Sequence, residues 1–317
     1  MNGELVGAWT VRGNAHQFAY AETWPGSISA RPLSLSMPLA QGTAPFSGET
    51  VENYFDNLLP DSLDIRKRVA ARFGAACTRA FDLIEKIGRD CVGAVQLLAQ
   101  GEPPIDVRQI HARPLSEADI EQLLSDTLAA PGLGSDDGDD ALRISLAGAQ
   151  EKTALLRHEG QWCLPLGATP TTHILKLPLG QLGRSRADFS SSVENEWLCS
   201  RLALAFGLPA AECHIEQFGA YKVLAVERFD RALLGTWWAR LPQEDFCQVL
   251  GIAPGLKYEN QGGPGMSAIL AQLRGSSRAT SDRETFLASQ LFFWLLAAPT
   301  VTQKTSASSW SRAAPTT

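Results

Sequence analysis

The sequence predicts an α+β chain with more than one packed unit. A β-rich N-terminal subdomain comes first, then an antiparallel sheet with one helix against it, then a helical stretch. Three observations predict this. The 317 residues exceed what one small core accommodates. Strand patterns and helical patterns fall in separate stretches of the chain. Hydrophobic residues make up 44% and charged residues 20%, the proportions of a globular chain, which exclude disorder, collagen-like repetition and coiled coil.

The elements follow in order. Glu4 to Val11 and Ala15 to Tyr20 carry β-branched and aromatic residues around Arg12-Gly13-Asn14, a hairpin signal. From Arg31 to Leu39, Leu33, Leu35 and Met37 alternate with serines, predicting a half-buried strand. Glu49 to Leu59 reads as a helix, and Pro60-Asp61-Ser62 caps another that runs through Ile65, Val69 and Phe73. Ile87 to Leu98 returns to strand character, and Gly101 to Pro104 reads as a linker closing a first unit at 1–103. A helix over Leu115 to Ala129 opens the second unit, 104–230, followed by a solvated acidic loop from Pro131 to Asp140. Strands are predicted at Leu142 to Ala147, Lys152 to Arg157, Gln161 to Leu164 and His173 to Leu177. Ser191 to Glu194 has the spacing of a capping box, starting a helix that Gly207 and Pro209 stop. Strands at Cys213 to Phe218 and Tyr221 to Phe229 turn at Gly219-Ala220, and from Asp230 the pattern is mainly helix and loop.

Charge and cysteine usage exclude several classes. Twenty-eight basic against 34 acidic side chains leave a net charge of −6, which argues against non-specific nucleic-acid binding by the whole molecule. The longest apolar run, Leu291 to Ala298, is far short of the roughly 20 residues of a membrane span. No basic-then-apolar segment follows Met1, so a cytoplasmic location without a membrane partner is expected. Six scattered cysteines, none in a C-x-x-C pair, read as reduced thiols. With the five histidines they do not supply a zinc spacing.

Three features could carry chemistry together. Ser145 to Thr153 is a turn of small residues (Ala147, Gly148, Ala149) followed by Gln150, Glu151 and Lys152. Small side chains let backbone N–H groups approach an anion, and the lysine supplies charge; the same spacing also suits an ordinary hairpin. Lys176 sits mid-strand between Leu175 and Leu177, either at an edge or as a buried cation with a partner. That partner would be Glu196, which borders the stripe Val193, Trp197 and Leu204 on the following helix. A strand lysine and a helix glutamate about 20 residues later is how kinases hold nucleotide phosphates. Glu227-Arg228-Phe229 would then lie where backbone groups meet the adenine edge.

On these residues the chain resembles the HipA family of bacterial serine/threonine kinase toxins. The matching segments are RPLSLSMPL from Arg31, FDNLLPDS from Phe55, IGRDCVGAVQLL from Ile87 and RISLAGAQEKTALL from Arg143. Further matches are TPTTHILKLP from Thr169, SVENEWLC from Ser192, LAVERFDR from Leu224, RLPQEDFCQ from Arg240 and GGPG from Gly262. The resemblance implies a kinase-like ATP-binding lobe over 104–230 and the start of a helical lobe over 231–298. It implies that Ala147, Gly148, Ala149, Gln150, Glu151 and Lys152 wrap the ATP phosphates, Lys176 contacts them with Glu196 in support, and Glu227, Arg228 and Phe229 hold the adenine. Ser145 would be the autophosphorylated serine, a charge-driven switch. Implied too are Mg²⁺, a protein substrate of the translation machinery such as an aminoacyl-tRNA synthetase, a HipB-like antitoxin, and contact with DNA only through that antitoxin.

The resemblance stops after Ala298. The family stretch Thr-Asp-Gly-His-Ala-Lys-Asn-Phe-Ser is expected there, but the chain reads Pro299-Thr300-Val301-Thr302-Gln303-Lys304-Thr305-Ser306-Ala307. Permitted codons for Ala298 to Ala307, read one base earlier, encode the expected stretch. Residues 299–317 are therefore expected to be an out-of-frame, disordered ending of a truncated chain. The missing aspartate would position the substrate hydroxyl, and the missing asparagine and a later aspartate would hold Mg²⁺. None of Asp230, Asp245 or Asp282 sits in a substituting motif. The expected function is a HipA-like toxin kinase that is catalytically defective in this chain. The alternatives are a non-catalytic fragment that binds ATP or the antitoxin, and a structural remnant. The apolar helix Ser281 to Ala298 is expected to leave an exposed face.

Overall fold

The computed structural model describes residues 1–39, 44–102, 106–128, 145–148, 150–182, 187–298 and 308–309. Contacts divide the chain into two compact units: Gly3–Leu58 together with the chain from Pro242 onward, and Leu59–Leu241.

The first unit begins with the hairpin β1 (Gly7–Arg12) and β2 (Ala15–Tyr20), and β3 (Phe46–Ser47) adds to β2. The predicted turn at Gly13 has φ +61, a conformation glycine takes without a Cβ penalty. Helix α1 (Glu49–Asp56) packs on this sheet, with the Phe55 ring stacked on Trp9 at 4.0 Å.

The second unit starts with α2 (Leu63–Phe73), whose cap is the predicted Ser62; its side chain accepts from Ile65 N, and Gly74 ends the helix in the left-handed region. After α3 (Ala80–Ile87) come β4 (Ala112–Pro114) and α4 (Glu117–Leu128). Ser116 and Asp119 cap α4 reciprocally. Then follow β5 (Lys152–His158), β6 (Gln161–Pro165), β7 (His173–Lys176), β8 (Gly180–Leu182), β9 (Ala187–Phe189), α5 (Ser192–Ala205), β10 (Cys213–Phe218) and β11 (Tyr221–Glu227). The main sheet has the order β10-β11-β7-β5-β6-β4, and every pairing in it is antiparallel. Alternation along the strands sends residues to opposite faces. Leu155, Leu175 and Val223 pack with Ile120 and Leu124 of α4 on one face. Leu224 and Cys213 pack with Val193 of α5 on the other. The hairpin β12 (Arg231–Leu234) and β13 (Trp237–Arg240) closes the unit.

Back in the first unit, β14 (Gln243–Glu244) leads into α6 (Phe246–Leu250), α7 (Met266–Leu273) and α8 (Ala279–Leu295), and β14 pairs with Ser308–Ser309. Phe246, Val249, Ile269, Leu273 and Phe286 form the helical core. On α8, Leu287, Leu291, Trp294 and Leu295 are exposed, as expected, while Phe286 and Phe292 are buried.

Five expectations are corrected. Residues 31–39 form a turn held by an isolated Ser34–Met37 bridge. The Tyr20 hydroxyl accepts from Leu33 N at 2.7 Å and donates to Met37 O at 2.5 Å, so a tertiary partner overrides the alternation. Ile87 ends α3 and residues 88–98 carry no strand, because Asp90 and Gly93 are bound to side chains elsewhere in the unit. The capping box at Ser191 does not form. Glu194 pairs with Lys222, and the Ser192 hydroxyl accepts from Leu179 N. Beyond Asp230 the chain still makes the β12–β13 hairpin, turning at Gly235 with φ +63. The acidic loop 131–140 and the first half of the expected strand 142–147 lie outside the described residues, and 145–147 carry no strand. The tail 299–317, apart from 308–309, also lies outside the described residues.

Candidate functional site

Lys176 on β7 lies directly opposite Lys152 on β5 and opposite Leu224 on β11. Opposed residues share a face, and Leu224 places that face under α5. Glu196 stands one turn beyond Val193 on α5, and its carboxylate pairs with Lys176 Nζ. The structure thus brings together the lysine and glutamate that sequence spacing suggested. Their side chains are 24% and 38% exposed, so the pair contributes little to stability, about 1 kcal/mol or less. Like-charged residues directly opposite on paired strands are unfavourable. Lys152 turns its Nζ back to Ala147 O.

The loop before β5 is held from several sides. Ser145 is fully buried, and its N–H donates to Asp90 O at 3.1 Å. Gly148 has φ +109 and bridges Pro60, and its carbonyl accepts from Asp61 N at 3.1 Å. A Cβ there would lie 2.6 Å from Lys152 Nζ, so the glycine gives the ammonium group room beside the backbone. Ala149 lies outside the described residues. Gln150 donates to Leu177 O at 2.6 Å, and the Glu151 carboxylate pairs with Arg68 of α2. These two side chains fix the loop.

At the end of β11, Glu227 is exposed and Phe229 is 51% exposed. The Glu227 and Arg228 N–H groups donate to Glu212 O and Thr172 O, each at 2.8 Å. The Arg228 side chain is enclosed in a network that sequence reading missed. It contacts Asp230 Oδ2 at 2.8 Å, Asp90 Oδ2 at 3.2 Å, Thr171 Oγ1 at 2.9 Å and Cys91 O at 2.9 Å. Arg231 reaches Asp90 Oδ1 at 2.9 Å and Asp230 Oδ2 at 3.0 Å; Arg240 reaches Asp90 Oδ1 at 3.2 Å. Burial alone would push the Asp90 carboxyl up, but Arg231, Arg228, Arg240 and the Thr171 hydroxyl together hold it well below its ordinary value. Burial pulls Arg240 down to about 10 and pushes the Cys91 thiol up to about 12. Burying such charges costs several kcal/mol per ion, so removing one partner is expected to be severe. The available signal was the repetition of Arg-Asp pairs, Arg89-Asp90 and Asp230-Arg231, at opposite ends of the second unit.

The three aspartates considered as substitutes are all committed to structure. Asp230 is locked between arginines, and Asp245 caps α6 in a true capping box with Gln248. Asp282 bonds Ser276 and pairs with Arg278. Among the described residues, no group of three or more His, Cys, Asp or Glu stands ready to hold a metal ion. No described helix is long and apolar enough to cross a membrane.

Comparison with known proteins adds the following. Residues 1–98 match the model of the HipA N-terminal domain, and residues 144–299 match that of the HipA-like C-terminal domain. The candidate kinase Y4mE of Sinorhizobium fredii is 35% identical over 297 residues, covering 92% of this chain and 68% of that protein. The serine/threonine-protein kinase toxin HipA of Shewanella oneidensis is 29% identical over 263 residues, covering 82% of this chain and 56% of that one. A solved complex of Shewanella oneidensis HipA, HipB and operator DNA contains a similar chain. Its TM-score is 0.72 at 25% identity, over 96% of this chain and 70% of that one. The chain therefore belongs to the HipA family, which includes serine/threonine-protein kinase toxins.

Proposed function

We propose that the sheet face bearing Lys152 and Lys176 holds the phosphates of ATP and that the end of β11 holds its adenine. This makes the second unit the nucleotide-binding lobe of a HipA-type toxin kinase. The observation that carries the reading is the Lys152–Lys176 cross-strand pair beside the Gly148 turn. Like charges directly opposite on paired strands are unfavourable; Glu196 already balances Lys176, and a polyphosphate beside both lysines would add favourable contacts, so the residues present fit the group. When bound, ATP with Mg²⁺ supplies an activated phosphoryl group. Lys176, oriented by Glu196, and Lys152 would balance phosphate charge, with Gly148 letting the backbone approach. At β11, the exposed Phe229 ring would flank the base, while Arg228, its N–H on Thr172 O and its side chain enclosed, would hold the strand end in place.

Phosphoryl transfer also needs a base beside the substrate hydroxyl and carboxylates for Mg²⁺. Asp230, Asp245 and Asp282 are bound to structural partners, which supports a chain that holds nucleotide but transfers phosphate poorly. A HipB-like antitoxin is the partner this reading implies, and a protein of translation its substrate. The test is calorimetric titration with Mg²⁺–ATP, then incubation with labelled ATP beside a repaired, full-length version that carries Thr-Asp-Gly-His-Ala-Lys-Asn-Phe-Ser from residue 299 and the later aspartate. K176M is expected to weaken ATP binding at least about tenfold, about 1.4 kcal/mol. Label on Ser145 is expected only in the second version. Unchanged affinity in K176M would refute the site, and equal labelling would refute the defect.

A further inference from the structure

Asp90 touches both halves of the proposed site from a segment that belongs to neither. Its backbone carbonyl accepts the N–H of Ser145, where the phosphate loop begins. Its carboxylate holds Arg228, between the two exposed residues at the β11 end, and accepts from Thr171 N at 3.1 Å and Thr171 Oγ1 at 2.6 Å. The same carboxylate ties down both strands of the β12–β13 hairpin through Arg231 and Arg240. The neighbouring Cys91 O accepts from Arg228 and Arg231, and Gly93 N donates to Asp230 Oδ2 at 2.7 Å.

This cluster is poorly designed for stability alone. Three guanidinium groups face two carboxylates, and Arg231 Nε is buried without a hydrogen-bond partner among the described atoms. Apolar side chains of similar volume would fill such a space at less cost. What charges achieve and apolar groups do not is directional fixing of several backbone segments at once.

We propose that Asp90 is a positioning residue that orders the loop at Ser145 and the strand end at Glu227–Phe229 as one unit, so that the phosphate and base halves of the site form together. The assignment of those halves rests on the nucleotide reading above; the coupling of the two segments does not. Asp90 meets no substrate itself and acts through Ser145 and Arg228.

The test is amide hydrogen exchange on the ligand-free chain, comparing wild type with D90N and with T171V. The second variant keeps every charge and removes the one hydroxyl that donates to Asp90 and accepts from Arg228, so it reports even if D90N does not fold. The expected result is exchange at least tenfold faster in peptides covering 145–148 and 227–231 together, with peptides of α4 unchanged. Acceleration spread evenly over the unit, or confined to one segment, would overturn the proposal. In parallel, ATP and GTP affinities are measured: T171V is expected to narrow the ratio between them at least threefold, whereas K176M weakens both and keeps the ratio. An unchanged ratio in folded T171V would overturn the positioning role at the base. A wild type that binds neither nucleotide, with the paired exchange pattern intact, would sink the nucleotide reading while supporting the coupling.

Discussion

Glu244 offers a quantitative test of how the first unit is built. The residue is 5% exposed, its carboxylate accepting from Ser34 Oγ at 2.5 Å and Leu35 N at 3.0 Å. Burial pushes its pKa up to about 7, opposed by the bonds from Ser34 and Leu35 and reinforced by neighbouring Asp245. The ordinary value is 4.5. Below that pH the group is neutral in both folded and unfolded chains. Between 4.5 and 7 the unfolded chain ionises while the folded one holds its proton, so stability falls as pH rises. Integrated across that window, the loss is about 3 kcal/mol by pH 8. The perturbation is E244Q. A glutamine can keep its oxygen on Leu35 N and turn its amide to the Ser34 hydroxyl, which accepts as readily as it donates. Urea unfolding of wild type and E244Q, followed at intervals from pH 4 to pH 8, measures the difference. The two should nearly coincide at pH 4 and diverge to about 2–3 kcal/mol in favour of E244Q at pH 8. Parallel pH profiles would refute the reasoning, because they would mean that Glu244 ionises alike in folded and unfolded chains.

Other outcomes follow from single contacts. G148A forces a Cβ into a backbone at φ +109 and against Lys152; it should cost about 1–2 kcal/mol in urea unfolding and weaken ATP binding. D245A removes the reciprocal cap of α6 and should lower stability by about 1 kcal/mol, read from the same denaturation curves. L291E with W294S alters two α8 side chains that are 57% and 75% exposed. Stability should move by no more than about 0.5 kcal/mol, while aggregation followed by light scattering should fall.

Much of the second unit was legible because its strands obey local rules. The β10–β11 turn at Gly219-Ala220, the Ser62 cap and the lysine–glutamate spacing each depend on residues near one another in sequence. What the sequence hid depends on distant partners. Leu33, Leu35 and Met37 alternate like a strand, yet Tyr20 pins both ends of a turn there. Ser191 has the right spacing for a box, but Lys222, on a strand in the same unit, holds Glu194 instead. Asp90 sat beside Arg89 in a stretch expected to be a strand; only the fold brings three arginines from beyond residue 227 onto it. At the candidate site the ion pair was readable from spacing, while the loop's anchoring by Arg68 and Asp61 was not.

The first unit is assembled from two stretches of chain separated by the whole of the second. Asn53 and Asn57 of α1 donate to Gly251 O and Ile252 O, and Gln248 donates to Tyr54 O. On a ribosome adding about 5–20 residues each second, the opening hairpin waits roughly 10–40 s for those partners. Through that interval Asn53, Asn57 and the Tyr54 carbonyl lack those partners, whereas Leu59–Leu241 is a continuous stretch able to close as soon as it emerges. Order of birth thus leaves the N-terminal segment without those partners until the chain is nearly finished, and slowing synthesis near residue 242 should lengthen that interval.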